Sequence, residues 1–469
     1  DKERVLSRRL AYWRAVRRGR PCDGAGGAAD EIRRNEEREQ AVSTSSNAVR
    51  EAAPSRGPSV RRCEAGAGPA GRNGRPVRVV VAIEHHFARV GDRVYTSLAF
   101  GYDYWKEYLA VFDEVLVLAR VRREDAVPPD HFIADGPGVR FIDVPEYVGL
   151  KDMFRKFPSI IAAAGRAARE GDRFILRSGN VCTALWFWLV VMGRPYAREV
   201  QSHIGGAVYE FLEGGNRLTQ GFVGAMADVI SSVQVRMSYA ASYVSQFVRR
   251  IYPTGDPRRE FVFSSVRLSE DLIARPREPE AFRHSPARIL SVGRVSREKG
   301  HHILVAAADL LRKKRPDGWR LRIVGPGPEI ETLRRTVHEK GMEHLVEIAG
   351  PAKYGPELFA HLDWGDLFIL PSLSEGMPRS LIEAMARGLP AVGSRAGGIS
   401  ELLTDEQLVP PGRPGALMRA IDEMIDDPER LARLSAQNYH KAVTHYHPDE
   451  MERRKLAYWR SVLAGPKPR

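Results

Sequence analysis

Cysteine is scarce in this sequence. Cys22, Cys63 and Cys182 are the only three in 469 residues, odd in number and widely scattered. They supply neither a disulfide framework nor a paired metal-binding motif, so a reducing compartment is the simpler reading. Long apolar runs are also missing. The longest, ALWFWLVVMG at 184–193, is about half the roughly 18 residues that a membrane-spanning helix needs, and it reads as a buried helix. The opening DKERVLSRRL is charged and has no apolar centre, so a signal peptide is not expected there. Aromatic residues are few in the stretch that carries most of the charge excess. Residues 1–75 hold 17 Lys and Arg against 10 Asp and Glu, or +7 of the net +13, and the other 394 residues carry +6. Without interleaved aromatics to stack on bases, that stretch is a weak basis for a nucleic-acid-binding protein.

Residues 1–75 are expected to form a disordered basic tail, because the Gly-, Ala-, Ser-, Pro- and Arg-rich part from 20 onward has too little apolar surface to offset chain entropy. Within it, LAYWRAV at 10–16 nearly repeats LAYWRSV at 456–462. Two readings of this echo are open. The first residues are the end of a neighbouring paralogue's reading frame, which the missing initiator Met fits, or they are a short basic amphipathic helix that touches membrane.

From residue 76 the pattern changes. VRVVVAI (77–83), EVLVLAR (114–120), VRFIDVP (139–145), RFILRS (173–178) and REVQSH (198–203) are short apolar runs separated by helical stretches, one of them expected around 94–110. After a polar, proline-bearing linker at 267–286 the pattern restarts with RILSVGR (288–294), WRLRIVG (319–325), LVEIAG (345–350), DLFILPS (366–372) and LPAVGSR (389–395). Alternation of this kind implies βαβ units. The expectation is two Rossmann-like domains, 76–266 and 287–447, facing a cleft at the carboxyl ends of their strands. A last helix near 448–463 is expected to cross back onto the first domain.

One short stretch of the second domain points to chemistry. SVGRVSREKG (291–300) places Arg294 and Lys299 between a strand and a helix, where two cations suit a diphosphate. In SEGMPRSLIEA (374–384), Glu375 precedes Gly376 and Pro378, and Glu383 lies about a turn inside the helix that follows. Free N–H groups at that helix start form an anion site. Glu383 is placed to accept bonds from vicinal hydroxyls such as those of ribose. Surface carboxylates and solvated basic loops are the plain alternative for each residue taken singly. The ordered set is more specific.

With GRVSREKG, IVGPGPE and LPSLSEGMPRSLIEAMARGLPAVGSRAGGISELL, residues 77–463 resemble the GT-B-fold retaining glycosyltransferases of glycosyltransferase family 4. The resemblance implies a hexosyltransferase whose second domain binds a UDP- or GDP-linked sugar. Arg294 and Lys299 would hold the diphosphate, Glu383 the ribose, and Glu375 would lie beside the donor sugar. Amides of Gly376, Met377 and Pro378 would meet sugar and phosphate, and the base would lie near Gly350 and Pro351. In the first domain the resemblance points to Gly91 as a phosphate-approaching glycine and to His203 as a donor-sugar contact. His85, His86, Arg177, Tyr104 and Trp105 are acceptor candidates. It further implies no required metal or permanent cofactor. Its acceptor would be glycan or lipid-linked, in cell-surface polysaccharide or glycolipid synthesis. The site of action would be cytoplasmic, with peripheral contact at the inner membrane face and no nucleic-acid partner. A nucleotide-sugar epimerase on the same plan is the enzymatic alternative.

Overall fold

The computed structural model describes residues 75–97, 100–177, 179–205, 217–266 and 268–466. The tail reading and the 10–16 segment lie outside these residues.

The first sheet contains β1 (Arg78–Val90), β2 (Arg93–Thr96), β3 (Glu114–Arg123), β4 (Phe132–Ile133), β5 (Val139–Pro145), β6 (Arg173–Leu176), β7 (Ala197–Val200), β8 (Ala240–Tyr243) and β9 (Glu260–Val262). Its parallel part runs β5-β3-β1-β6-β7-β8-β9, and β2 and β4 extend it antiparallel beside the far end of β1. Side chains alternate across β1: Val79 and Val81 enter one core, Val80 and Ala82 the other, and all four are fully buried. That two-sided burial explains the unbroken apolar run. The helices described here are α1 (Tyr102–Lys106), α2 (Gly149–Glu170), α3 (Asn180–Val191), α4 (Arg217–Met237) and α5 (Gln246–Ile251).

The second sheet is wholly parallel: β10 (Ala287–Val292), β11 (Trp319–Val324), β12 (Val346–Gly350), β13 (Leu367–Leu370), β14 (Ala391–Ser394) and β15 (Leu408–Val409), in the order β12-β11-β10-β13-β14-β15. Strand order reverses between β10 and β13, the place where such sheets open a ligand crevice beyond their carboxyl ends. Its helices are α6 (His301–Lys314), α7 (Ile330–Glu339), α8 (Pro356–Trp364), α9 (Arg379–Ala386), α10 (Ile399–Leu402), α11 (Pro414–Met424) and α12 (Pro428–His445).

A final helix, α13 (Pro448–Leu463), returns to the first domain. Trp459 packs against Tyr108 with ring centroids 4.1 Å apart and planes tilted by 31°, and Tyr458 donates its hydroxyl to the Arg198 carbonyl at 3.1 Å. The architecture is thus two Rossmann-like domains with a helix crossing back.

Two local expectations change. The helix expected around 94–110 is β2 followed by the short α1 and a tight turn at Glu107–Ala110, because β1 runs on past the cleft into a hairpin. The run at 184–193 is helical, but buried on one face only. Val181, Leu185 and Leu189 point inward, while Phe187, Val190 and Val191 are exposed.

Candidate functional site

The loop leaving β10 carries Arg294, which is exposed, and then a tight turn, Arg297–Lys299, ending at Gly300. Gly300 has φ +71°, and a β-carbon there would stand 2.1 Å from the Pro371 carbonyl oxygen. A side chain is excluded on both counts. This close approach seats the basic loop against the end of β13. Leu373 N–H donates to the Glu298 carbonyl at 2.8 Å and ties the two loops together.

Glu375 lies where these loops meet. Its carboxylate is buried and stands 2.7 Å from Lys299 Nζ, and it also accepts from Ser372 Oγ at 2.8 Å. The cation and the carboxylate that the sequence separates by 76 positions therefore form one pair, at the reversal between β10 and β13. Pro378 caps α9 with extended backbone, so the helix starts at Arg379, one residue beyond it. Glu383 sits in the second turn of α9, half-buried, and burial pushes its carboxyl above the usual range against the opposing pull of Arg379. Gly350 ends β12, and its carbonyl accepts from Gly325 N–H at 2.6 Å, which places Gly350 and Pro351 at the same carboxyl edge of the sheet. The AGG stretch closes over the loop from the other side, where a β-carbon on Gly397 would lie 1.8 Å from the Glu375 carbonyl oxygen.

The first domain reaches this loop directly. A β-carbon on Gly376 would lie 2.7 Å from the Gln201 carbonyl oxygen and 3.5 Å from Ser202 Cα. Met377 packs against the cluster that contains Val200, Val244 and Tyr252. His203 follows two residues after Gln201, with Nε2 3.2 Å from Asp228 Oδ2. A second bridge comes from Glu401 on α10, which accepts from the Gln246 N–H at 3.0 Å and from the Phe247 N–H, capping α5 of the other domain.

Other first-domain candidates are placed differently. Gly91 occupies a two-residue hairpin turn between Val90 and Arg93 with φ +57°, not a strand-to-helix loop, so the phosphate-approaching role expected for it has no support in its position. Trp105 is fully buried, donates its indole N–H to the Phe100 carbonyl and packs on Tyr104 and Tyr108. It is core, not acceptor surface. Arg177 is buried too. Its Nε lies 3.3 Å from Glu199 Oε2 and its Nη1 donates to the Tyr104 hydroxyl, so this pair is a buried network instead of a pair of open acceptor contacts. His85 and His86 lie within β1 instead of at its end. His85 Nε2 is 3.1 Å from Thr96 Oγ1, and burial, aided by His86, Arg120 and Arg177, pushes its pKa down to about 4. His86 is exposed and bridges Arg120 and Glu146.

Four residues at the site escaped the sequence reading. Ser372 had a weak signal, lying three positions before Glu375. Asp228, Tyr252 and Glu401 had none: the first two lie outside every motif, and Glu401, inside the ISELL stretch, has its partners Gln246 and Phe247 155 and 154 positions away.

Residues 274–441 match the family model for glycosyl transferases group 1. Among curated proteins, the colanic acid biosynthesis glycosyltransferase WcaL of Escherichia coli (strain K12), described as putative, is 32% identical over 214 residues, 41% of this chain and 52% of its own. The GDP-mannose-dependent alpha-(1-6)-phosphatidylinositol monomannoside mannosyltransferase of Mycolicibacterium smegmatis is 30% identical over 238 residues, 48% and 60% of the two chains. The chain spans about half the length of the curated relatives it matches. Among solved structures, Anabaena HepE with UDP and glucose superposes at TM-score 0.57 and 16% identity, covering 82% of this chain and all of the other. Sucrose-phosphate synthase of Thermosynechococcus elongatus does so at 0.60 and 18%, covering 83% and 99%. At such identities the likeness speaks to fold alone. The fold is GT-B, and its second domain carries the match to glycosyl transferases group 1.

Proposed function

We propose that this chain is a retaining hexosyltransferase that moves a sugar from a UDP- or GDP-linked donor to a hydroxyl of a growing polysaccharide or glycolipid. The observation that carries the reading is the Lys299–Glu375 pair, set at the strand-order reversal and abutting Gln201 and Ser202 of the opposite domain. A transferase must weaken the bond from the anomeric carbon to the diphosphate, and negative charge builds on the departing oxygens. Arg294, Lys299 and the free N–H groups at the start of α9 would stabilise that charge in a cleft closed to water. With those cations in place no metal is required in this reading. Glu383 would hold the ribose, Gly350 and Pro351 would border the base, and His203 would contact the sugar. Attack then occurs on the face the diphosphate leaves, with a phosphate oxygen taking the acceptor's proton. Similar proteins support the donor and acceptor classes: one is a GDP-mannose-dependent phosphatidylinositol monomannoside mannosyltransferase, and the fold neighbour HepE was crystallised with UDP and glucose.

Among the described residues no helix is long and apolar enough to cross a membrane. In this reading the enzyme works in the cytoplasm and rests on the inner membrane face. Exposed Phe154 and Phe157 of α2 and Phe187 and Val191 of α3, with Lys151 and Arg155 beside them, would suit an anionic lipid surface.

A panel of nucleotide sugars screened by thermal shift tests the donor assignment. A UDP or GDP sugar should raise the melting temperature, and Arg294→Ala and Lys299→Ala should abolish the response. A response that survives both substitutions would refute the reading.

A further inference from the structure

His203 does not stand alone. It lies in a loop between the end of β7 and the start of the next helical stretch, and that loop is held by two residues from distant elements. Asp228, on α4, receives three groups: the His203 ring at Nε2, 3.2 Å from Oδ2; the Gly205 N–H, 2.9 Å from Oδ1; and the Tyr252 hydroxyl, also at Oδ1. Tyr252 is fully buried, accepts from the Ile204 N–H at 3.0 Å, and its own carbonyl accepts from the Tyr243 hydroxyl at 2.8 Å. The contact is tight at Gly205, where a β-carbon would lie 2.2 Å from Asp228 Oδ2. Three consecutive residues, 203 to 205, are thus pinned by one carboxylate and one phenol. Gln201, at the start of the same loop, is the residue that meets Gly376 across the cleft.

We propose that Asp228, backed by Tyr252, is a positioning residue of this site: its carboxylate sets the ring plane of His203 and keeps a proton on Nε2. The inference rests on the transferase reading for its consequence, but not for its geometry. A carboxylate accepts and does not donate, so a ring nitrogen facing it must carry hydrogen. In the neutral ring Nδ1 is then an acceptor, and in the charged ring it is a donor. Partners of this kind orient a functional histidine and typically change its effectiveness about 10–100-fold when removed, as measured around metal-binding histidines. Tyr252 completes the arrangement by occupying the second carboxylate oxygen, which stops Asp228 from rotating away.

Two measurements decide the matter. With histidine labelled by nitrogen-15, long-range proton–nitrogen spectra report the tautomer of each ring, and His203→Gln identifies the relevant signal. The intact protein should show His203 with its proton on Nε2, whereas Asp228→Ala should show a mixture and Asp228→Asn, which keeps an acceptor oxygen, an intermediate state. An unchanged tautomer in Asp228→Ala overturns the proposal. In parallel, nucleoside diphosphate release from UDP-glucose and GDP-mannose is followed with and without a glycan acceptor. Asp228→Ala should lower kcat about 10–100-fold with little change in KM, and should add nothing in a His203→Gln background. Multiplying losses in the double variant would show that Asp228 acts by another route. If every form is inactive with both donors, the transferase reading loses its support, and the spectra still settle what Asp228 does to His203.

Discussion

Replacing Lys299 with Ala probes the centre of the site through stability and through ligand affinity, with opposite expectations for rescue. In the ligand-free protein the Lys299 ammonium is 2.7 Å from Glu375 Oε1, and the two side chains are 26% and 6% exposed. Ser372 Oγ is the other donor to the same oxygen, at 2.8 Å. Loss of the ammonium strands a buried carboxylate on one neutral partner. Breaking a fully buried pair costs about 3–5 kcal/mol, and water at the partly exposed lysine reduces that to about 2 kcal/mol here. For a unit of this size the melting temperature should fall by roughly 4–8 °C. Adding Glu375→Gln removes the stranded charge, so the double variant should regain most of the loss. Affinity behaves differently. A charge-assisted contact to phosphate contributes about 1.5–3 kcal/mol, or about ten- to a hundredfold in Kd for UDP or GDP. Glu375→Gln supplies no cation, so it cannot restore that term. Scanning fluorimetry and titration calorimetry on the two single variants and the double variant read both quantities. If Lys299→Ala binds UDP and GDP as the parent does, or if the double variant regains affinity, Lys299 serves Glu375 alone and the diphosphate assignment is wrong.

Three further outcomes follow from particular contacts. Gly376→Ala puts a β-carbon 2.7 Å from the Gln201 carbonyl oxygen; the domains must part by a few tenths of an ångström, and turnover should fall more than about tenfold while the melting temperature shifts by less than about 2 °C. Trp459→Ala removes the ring packed against Tyr108 from the first-domain core, with an expected cost of about 3–5 kcal/mol and faster proteolytic release of α13 on a gel time course. His301 is 1% exposed, neither ring nitrogen has a hydrogen-bond partner among the described residues, and burial lowers its pKa from 6.5 to about 4. The folded state therefore binds fewer protons than the unfolded one between those values, so this residue removes stability as pH falls from about 6.5 toward 4, by up to about 3 kcal/mol. His301→Leu should flatten denaturant midpoints across that window, and an unchanged pH slope would rule this account out.

Much of this molecule was legible in the linear chain because its strands are buried on both faces. Runs such as VVVAI (79–83) and LFIL (367–370) have no polar residue to place toward water, so their apolar character marks them at once. The short edge pieces β2, β4, β9 and β15 carry no such mark. They are two to four residues long, and tertiary pairing, not composition, makes them strands. The α3 run shows the reverse error. Its apolar character was read as burial, but α2 and α4 leave one of its faces uncovered.

The site divides in the same way. Local order alone placed Arg294 and Lys299 after a strand and Glu375 before a helix, since strand, loop and helix start are written in contiguous residues whose backbone conformations are set locally. That Lys299 neutralises Glu375, that Gly376 touches Gln201, and that Asp228 and Tyr252 hold His203 were decided by the fold. These partners lie from 25 to 175 positions apart, and nothing in a linear order sets distances between side chains carried on different elements. Strand pairing of β10 with β13, helix packing in the first domain and the approach of the two domains at Gly376 supply those distances, and with them the difference between a set of suitable residues and a site.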